Sequence, residues 1–123
     1  MKKLNLATAT VAELADEFLR LAIAKGRAVM DFENAKVKRV YWQIDAVRNE
    51  LKNRPGDQRR VLAAFYRHPS PSVRLEAATA TLVVLPEQSR LVLQEIVDRV
   101  EYPFAGTAGM RLHNLATGFY KPT

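Results

Sequence analysis

The sequence predicts an all-α protein, a short α-α superhelix of about six helices arranged in three antiparallel pairs. Apolar residues recur at the 3.6-residue spacing of a helix along nearly the whole chain. Prolines and capping residues stand at the boundaries of these periodic segments. The one cluster rich in β-branched residues, at 82–85, lies inside such a segment and therefore does not predict a strand.

Two long helices are predicted in the first half of the chain, over about residues 11–30 and 33–53. Thr10 and Glu13 have the spacing of a capping box, in which each side chain accepts a hydrogen bond from the backbone of the other. The second helix ends before Pro55 and carries a stripe of residues that we expect to be buried. This stripe consists of Val37, Val40, Tyr41, Ile44, Val47 and Leu51.

Four shorter helices are predicted in the second half of the chain. Ser70 and Pro71 suit the N-cap and the first position of a helix that continues to about Leu85. This helix has apolar residues on two sides, which is typical of a helix packed between neighbours. One row consists of Val73, Ala77, Ala80 and Val84. The other consists of Leu75, Ala78, Leu82 and Leu85. The other three helices are predicted over about residues 58–67, 87–101 and 108–117, with a connector of small residues at 103–109.

A weak internal repeat supports the stacking of helix pairs. Residues 57–60 (DQRR) resemble residues 87–90 (EQSR), at the starts of the third and fifth helices. Residues 73–75 (VRL) resemble residues 110–112 (MRL), within the fourth and sixth helices. Two matching pairs and a longer first pair supply the minimum of about three repeats that a stacked core needs.

Composition narrows the class of protein. A chain of 123 residues that is 48% hydrophobic is long enough for one folded domain. We therefore expect a single helical-repeat domain over residues 1–123, with an N-terminal segment at 1–9 and a C-terminal tail at 119–123. The absence of cysteine excludes a disulfide framework and a cysteine nucleophile, and it suits a reducing cytoplasm. No apolar run approaches the length of a membrane span, so we expect a cytoplasmic protein with no membrane contact.

The stretch from His68 to Leu82 resembles the turn and second helix of a HEAT-like repeat. In such repeats a polar turn precedes a Val-Arg pair and an Ala-Ala pair, which are here residues 73–74 and 77–78. The repeats usually carry aspartate in the turn, where this chain has His68 and Ser70.

The chain from Thr10 to about Gly118 is also similar to a family of small bacterial proteins known only as a domain of unknown function. The resemblance implies an armadillo-type α-α superhelix and implies no activity. The shared features lie at residues 44–46, 50–52, 68–69, 73–75 and 108–110.

No group of residues predicts catalysis. His68 and His113 lie on different helix pairs, and neither has a carboxylate at the spacing of a metal-binding motif. The small-residue run at 105–109 lacks the lysine of a phosphate-binding loop and does not follow a strand, so it favours close helix packing. We therefore expect a protein that is not an enzyme and has no metal site and no cofactor.

Trp42 indicates a contact surface. It lies on the opposite side of the second helix from the stripe through Ile44, because successive residues advance by about 100°. A large aromatic residue among small and polar neighbours favours an interface. The alternative is that another part of the chain, such as the N-terminal segment, covers Trp42 as core. The residues that share its side are Ala35, Lys38, Ala46 and Asn49.

A second candidate surface is the outward ridge of the helix that begins at Pro71. The 37-residue offset between the two VRL-like motifs continues this ridge onto the last helix. Concave ridges of this kind are where stacked-helix folds usually bind partners. Over both surfaces, the predicted partner-binding residues are Lys38, Trp42, Asn49, Glu76, Thr79, Val83 and His113.

These observations favour a non-enzymatic protein-protein interaction module, such as an adaptor or an immunity-type partner. It would bind another protein or a second copy of itself. The alternative is binding of nucleic acid or another polyanion, because residues 1–60 hold 13 Lys and Arg against 8 Asp and Glu. The predicted polyanion-binding residues are Lys36, Lys38, Arg39, Arg48, Lys52, Arg54, Arg59 and Arg60.

Overall fold

The computed structural model describes residues 3–123, and these residues form helices and no strand. The prediction of an all-α protein with six helical segments is therefore confirmed. Five segments are α-helices and one is a 3-10 helix. They are α1 (Val11–Met30), α2 (Asn34–Asn53), the 3-10 helix (Gln58–Phe65), α3 (Pro71–Ala80), α4 (Pro86–Asp98) and α5 (Phe104–Thr117). In the described part of the chain, none of these helices is long and apolar enough to cross a membrane.

The chain divides into two compact units, Met1–Val61 and Leu62–Thr123. In the first unit, α1 and α2 pack against each other as a helical hairpin. The capping box at the start of α1 is present: Thr10 Oγ1 accepts from the Glu13 N–H at 3.1 Å, and Glu13 Oε1 accepts from the Thr10 N–H at 2.9 Å. The buried residues on the two helices include Leu14, Phe18, Leu21, Val40, Ile44, Val47 and Leu51.

The N-terminal segment is held against the end of α2 by one side chain. Arg54 Nη2 donates to the carbonyl oxygens of Leu6 and Ala9, at 2.9 and 2.8 Å. Its Nε donates to Glu50 Oε1 at 2.9 Å. Because one guanidinium bonds both the segment and α2, residues 6–9 have a defined path alongside the hairpin.

In the second unit, α3 packs against α4 and α5, and α4 packs against α5. The predicted two-sided packing of α3 is confirmed, since Val73 and Ala77 of one row and Leu75 and Ala78 of the other are all buried. The C-terminal tail folds back on α5. There the Tyr120 N–H donates to the Asn114 carbonyl at 3.0 Å, and the Tyr120 ring lies 5.0 Å from the Arg111 guanidinium carbon.

Four predicted helix boundaries are wrong, one of them the end of α4, which lies at Asp98 and not at residue 101. The helix that starts at Pro71 ends at Ala80 and not at Leu85. Thr81 Oγ1 donates back to the Ala77 carbonyl at 2.8 Å, and Leu85 is non-helical because the following Pro86 disfavours helical backbone there. The third predicted helix forms 3-10 turns that end at Phe65.

The last helix starts at Phe104, four residues earlier than predicted, so most of the predicted connector is its first turns. Ala105 and Ala108 are buried within these turns. A Cβ atom placed on Gly109 would lie 3.7 Å from the Val97 side chain of α4, which is ordinary contact distance. The small residues therefore allow the two helices to pack closely, and burial offsets the poor helix propensity of glycine.

Both helical hairpins close through a Schellman turn whose left-handed residue is not glycine. Phe32 follows α1 with φ +56°, and the next N–H donates to the Ala28 carbonyl at 2.9 Å. Val100 follows α4 with φ +54°, and the Glu101 N–H donates to the Ile96 carbonyl at 3.2 Å. Glycine is the usual residue at this position, because a Cβ makes the left-handed conformation costly. The second turn fixes the direction in which Glu101 leaves α4.

Ala78→Asp tests the packing of α3. Ala78 is fully buried, and an aspartate there places a charge with no partner in the core, so we expect the free energy of unfolding to fall by more than about 3 kcal/mol. Ala46→Asp on the exposed side of α2 is the control and should cost less than about 1 kcal/mol, mostly through helix propensity. Urea unfolding measures both. Equal midpoints for Ala78→Asp and the parent would contradict the two-sided packing.

Candidate interaction surfaces

Trp42 and Tyr41 form an exposed aromatic pair on α2. Their rings meet edge to face, with centroids 5.1 Å apart and an interplanar angle of 81°. Trp42 is 59% exposed and Tyr41 is 47% exposed, so the alternative of Trp42 as core is wrong, as is the burial predicted for Tyr41. The Lys25 ammonium lies 5.3 Å from the centre of the Tyr41 ring. This contact ties the pair to α1 while leaving the tryptophan ring accessible.

The surroundings of Trp42 are small and basic. Ala35, Lys38 and Ala46 are exposed and share its side of the helix. Together with Tyr41 and Trp42 they form what we call the α2 aromatic surface. Asn49, also predicted to belong here, is half-buried, and its Nδ2 donates to Asp45 Oδ2 at 3.2 Å. Asn49 therefore serves the internal hydrogen bonding of α2 and lies at the edge of the surface.

Three of the eight predicted polyanion-binding residues have carboxylate partners. Arg48 pairs with Asp45 at 3.3 Å, and Arg54 pairs with Glu50 at 2.9 Å. The third, Arg59, pairs with Asp57 at 2.7 Å; its side chain is only 2% exposed, so its guanidinium does not face solvent. Its hydrogen bonds hold the pKa of the Asp57 carboxyl below its usual value. Within residues 3–123, the five without an ion pair are Lys36, Lys38, Arg39, Lys52 and Arg60.

The ridge predicted on the helix that begins at Pro71, which is α3, is interrupted. Glu76 and Thr79 are half-buried on α3, whereas Val83 lies beyond its end, in the turn before α4. His113 is exposed on α5. The Thr79 hydroxyl oxygen is buried and has no hydrogen-bond partner among residues 3–123. The early end of α3 therefore removes the regular spacing on which this surface was predicted. In the same part of the chain, no three His, Asp or Glu residues converge as metal ligands would.

Arg74 forms a buried clamp that the sequence did not predict. Its Nε donates to the His68 carbonyl at 2.7 Å, and its Nη2 donates to the Pro69 carbonyl at 3.2 Å. Both terminal nitrogens donate to the two carboxylate oxygens of Glu101, each at 2.7 Å. The arginine thus bonds the turn through main-chain carbonyls where HEAT-like repeats use an aspartate. Its hydrogen bonds lower the pKa of the Glu101 carboxyl and raise the pKa of Arg74 itself.

Beside this clamp lies an open cleft of about 630 Å³. It is bounded by the turn that precedes α3 and by one face of α4. Sequence reasoning missed this cleft; the available signal was Leu91, an apolar residue on the polar side of α4. The lining residues are Tyr66, Arg67, His68, Pro69, Arg74, Gln88, Leu91, Val92, Glu95, Arg99 and Glu101.

Glu101→Gln tests the clamp through its pH dependence. Because the folded pKa of Glu101 is lowered, its contribution to stability is present above the unfolded pKa of about 4.3 and is lost as pH falls through the folded value. We expect the variant to be less stable than the parent by about 1–3 kcal/mol near pH 7, because Arg74 loses its charged partner in a mostly buried site.

The difference between parent and Glu101→Gln should shrink towards zero at low pH, as followed by urea unfolding over a pH series. Glu95→Gln is the matched control, because Glu95 and Arg99 are 3.6 Å apart and each is more than half exposed. It should change stability by less than about 0.5 kcal/mol at every pH. A cost of Glu101→Gln that is the same at all pH values would contradict the clamp.

Comparison with known proteins identifies relatives but no activity. Residues 12–116 match the family model described as Domain of unknown function (DUF2019). A solved structure, the crystal structure of the protein RPA1889 from Rhodopseudomonas palustris CGA009, is 35% identical with a TM-score of 0.93; the match covers 98% of this chain and 100% of that one. No curated protein matches the chain. The chain therefore belongs to the DUF2019 family of domains of unknown function.

Proposed function

We propose that this protein is a non-enzymatic protein-interaction module, an adaptor or an immunity-type partner, that binds through the α2 aromatic surface. The observation that carries the proposal is the exposure of Trp42. Helix α2 already buries Val40, Ile44 and Val47 on its other side, so packing of the hairpin does not require the tryptophan. An exposed tryptophan beside a second aromatic ring is typical of residues that contribute most of the binding energy at interfaces.

The charge beside the aromatic pair indicates the chemistry of the partner. Lys38 and Arg39 are exposed and make no ion pair within residues 3–123. Two unpaired cations next to an aromatic anchor suit a partner with an apolar pocket rimmed by carboxylates, because complementary charge favours encounter and register. The partner is therefore another protein with an acidic rim, with a second copy of this chain as the other candidate.

The second candidate function is binding of nucleic acid or another polyanion. It is favoured by the exposed cations on α2, since aromatic rings among cations can stack on the bases of single strands. It ranks second because Arg48, Arg54 and Arg59 are paired with carboxylates, which reduces the basic surface available for phosphates.

We also propose an armadillo- or HEAT-like repeat fold and a cytoplasmic location. The repeat fold is supported by Arg74, which bonds the turn at His68 and Pro69 from the position that the repeat motif gives to its arginine. The location is supported by the absence of cysteine from the sequence.

Trp42→Ala tests the interaction surface. We expect binding of the partner to weaken by about 30-fold or more, because the change removes an aromatic anchor, while the free energy of unfolding changes by less than about 1 kcal/mol. The partner is isolated by capture from the native lysate, then produced separately and titrated in a calorimeter. Self-association is measured by sedimentation.

The control for Trp42→Ala is Phe119→Ala, which removes another highly exposed aromatic side chain outside α2. It should bind the partner as the parent does. If Trp42→Ala costs about 3–5 kcal/mol of stability, as expected for a core residue, or leaves binding unchanged, the proposal fails.

A titration with single-stranded DNA separates the two candidate functions. Trp42 is the only tryptophan, so its fluorescence reports directly on the α2 aromatic surface. We expect a strand of about 20 nucleotides to produce at most a weak change that disappears between about 50 and 200 mM salt, as expected for non-specific attraction. Saturable binding at the higher salt concentration that is lost in Trp42→Ala would instead establish the polyanion function.

A further inference from the structure

The cleft between the turn before α3 and one face of α4 has an excess of hydrogen-bond donors. Arg67 is exposed and makes no hydrogen bond or ion pair within residues 3–123. His68 Nδ1 accepts from the Ser70 N–H at 3.0 Å, so the proton of the neutral ring is on Nε2, which is a free donor. Gln88 likewise has no side-chain partner in the described part of the chain.

Of the two carboxylates in the cleft, Glu101 is occupied by Arg74, whereas Glu95 is more than half exposed. Both carboxylate oxygens of Glu101 already accept from Arg74 at 2.7 Å. Glu95 lies 3.6 Å from Arg99, a distance at which the pair attracts but does not form a good hydrogen bond. A ligand therefore meets mainly the N–H groups of Arg67, Arg99, His68 and Gln88, because Arg74 is only 5% exposed and its guanidinium already bonds Glu101 and the turn. Guanidinium groups bind carboxylates in a two-pronged geometry, through two parallel N–H···O hydrogen bonds.

The cleft also has an apolar part. Leu91 is 66% exposed although it lies between polar residues on the outer side of α4, and it borders the cleft with Pro69. Binding of a ligand that covers this leucine is favourable, because apolar surface is removed from water. The occupant should therefore carry apolar groups as well as carboxylates.

The shape of the lining favours an extended chain over a small molecule. The lining residues Gln88, Leu91 and Glu95 on α4, and Arg99 at its C-cap, lie at successive turns of one face. Because a helix rises about 1.5 Å per residue, this row is about 16 Å long. An extended peptide covers that length with about five residues. A single small carboxylate would contact only one end of the row.

We propose that this cleft binds an extended acidic peptide segment of a partner protein, in which carboxylate side chains alternate with aliphatic ones. The carboxylates contact Arg67 and Arg99, and the aliphatic side chains cover Leu91. This site lies entirely within Leu62–Thr123 and is independent of the proposed α2 aromatic surface.

The test is an NMR titration of the intact, ¹⁵N-labelled protein with a capped peptide of about six residues that alternates glutamate and leucine. We expect the backbone amides at Arg67, His68, Leu91 and Arg99 to shift. Replacing glutamate by glutamine in the peptide should weaken binding by about tenfold or more, because charge-assisted hydrogen bonds are lost. Equal binding of the two peptides, or no binding of the acidic one, would overturn the proposal.

Variants of the protein localise the site. Arg67→Gln and Arg99→Gln should each weaken binding of the acidic peptide by about tenfold, since each removes one cationic partner. Both side chains are exposed, so unfolding midpoints should match the parent. Arg90→Gln is the matched control, because Arg90 is exposed on α4 but does not border the cleft. Trp42→Ala should also bind the peptide normally.

Two outcomes would assign the surface differently. An equal loss of binding in Arg90→Gln and Arg67→Gln would show general attraction to a basic protein and would overturn the proposal. N-acetylglutamate alone, binding as tightly as the peptide, would show that the cleft takes a small carboxylate and not a peptide segment.

Discussion

A single buried arginine connects the turn before α3 with the turn that follows α4. Arg74 lies on α3 with its side chain almost fully buried, where an unpaired charge would strongly disfavour folding. Its guanidinium is satisfied by two carbonyls of the preceding turn and by both oxygens of Glu101. Three separate stretches of chain must therefore be in place together before this charge is tolerated. The Schellman turn at Val100 contributes by directing the carboxylate of Glu101.

The first unit uses the same chemistry at two other arginines. Arg54 holds the N-terminal segment through two carbonyls, and Arg59 is buried against Asp57. Planar guanidinium groups suit such positions because they donate several hydrogen bonds in fixed directions and stay charged. One consequence is that the net charge of residues 1–60 overstates the number of cationic side chains that are free to bind a polyanion. Part of the basic character of residues 1–60 is therefore internal structure, because Arg48, Arg54 and Arg59 pair with carboxylates.

The two candidate surfaces differ in physical character. The α2 aromatic surface lies exposed on a single helix, and binding there would come from burying Trp42 and Tyr41. The cleft beside α4 is concave and rich in donors, so binding there would depend more on charge-assisted hydrogen bonds. At both surfaces, the apolar residues Trp42 and Leu91 are more than half exposed.

The sequence by itself determined the features that depend on residues close together in the chain, such as helix starts and apolar helix faces. The start of α1 agrees with prediction because Thr10 and Glu13 cap it locally, and the burial of Val40, Ile44, Val47 and Leu51 on α2 follows from the period of its apolar residues. Membership of the family and the all-α class also follow from the chain alone. The exposure of Trp42 could be anticipated as one of two alternatives, since its helical position opposes the stripe.

Tertiary structure decided what depends on residues far apart in sequence. The partner of Arg74 lies 27 positions away, and no local sequence pattern distinguishes Glu101 from the other Asp and Glu residues. The start of α5 at Phe104 depends on the burial of Ala105 and Ala108 against other helices. The cleft exists only because the turn at His68 and the outer face of α4 are brought together. Helical period reports which face of a helix is apolar, whereas burial, ion pairs and clefts depend on which other element meets that face.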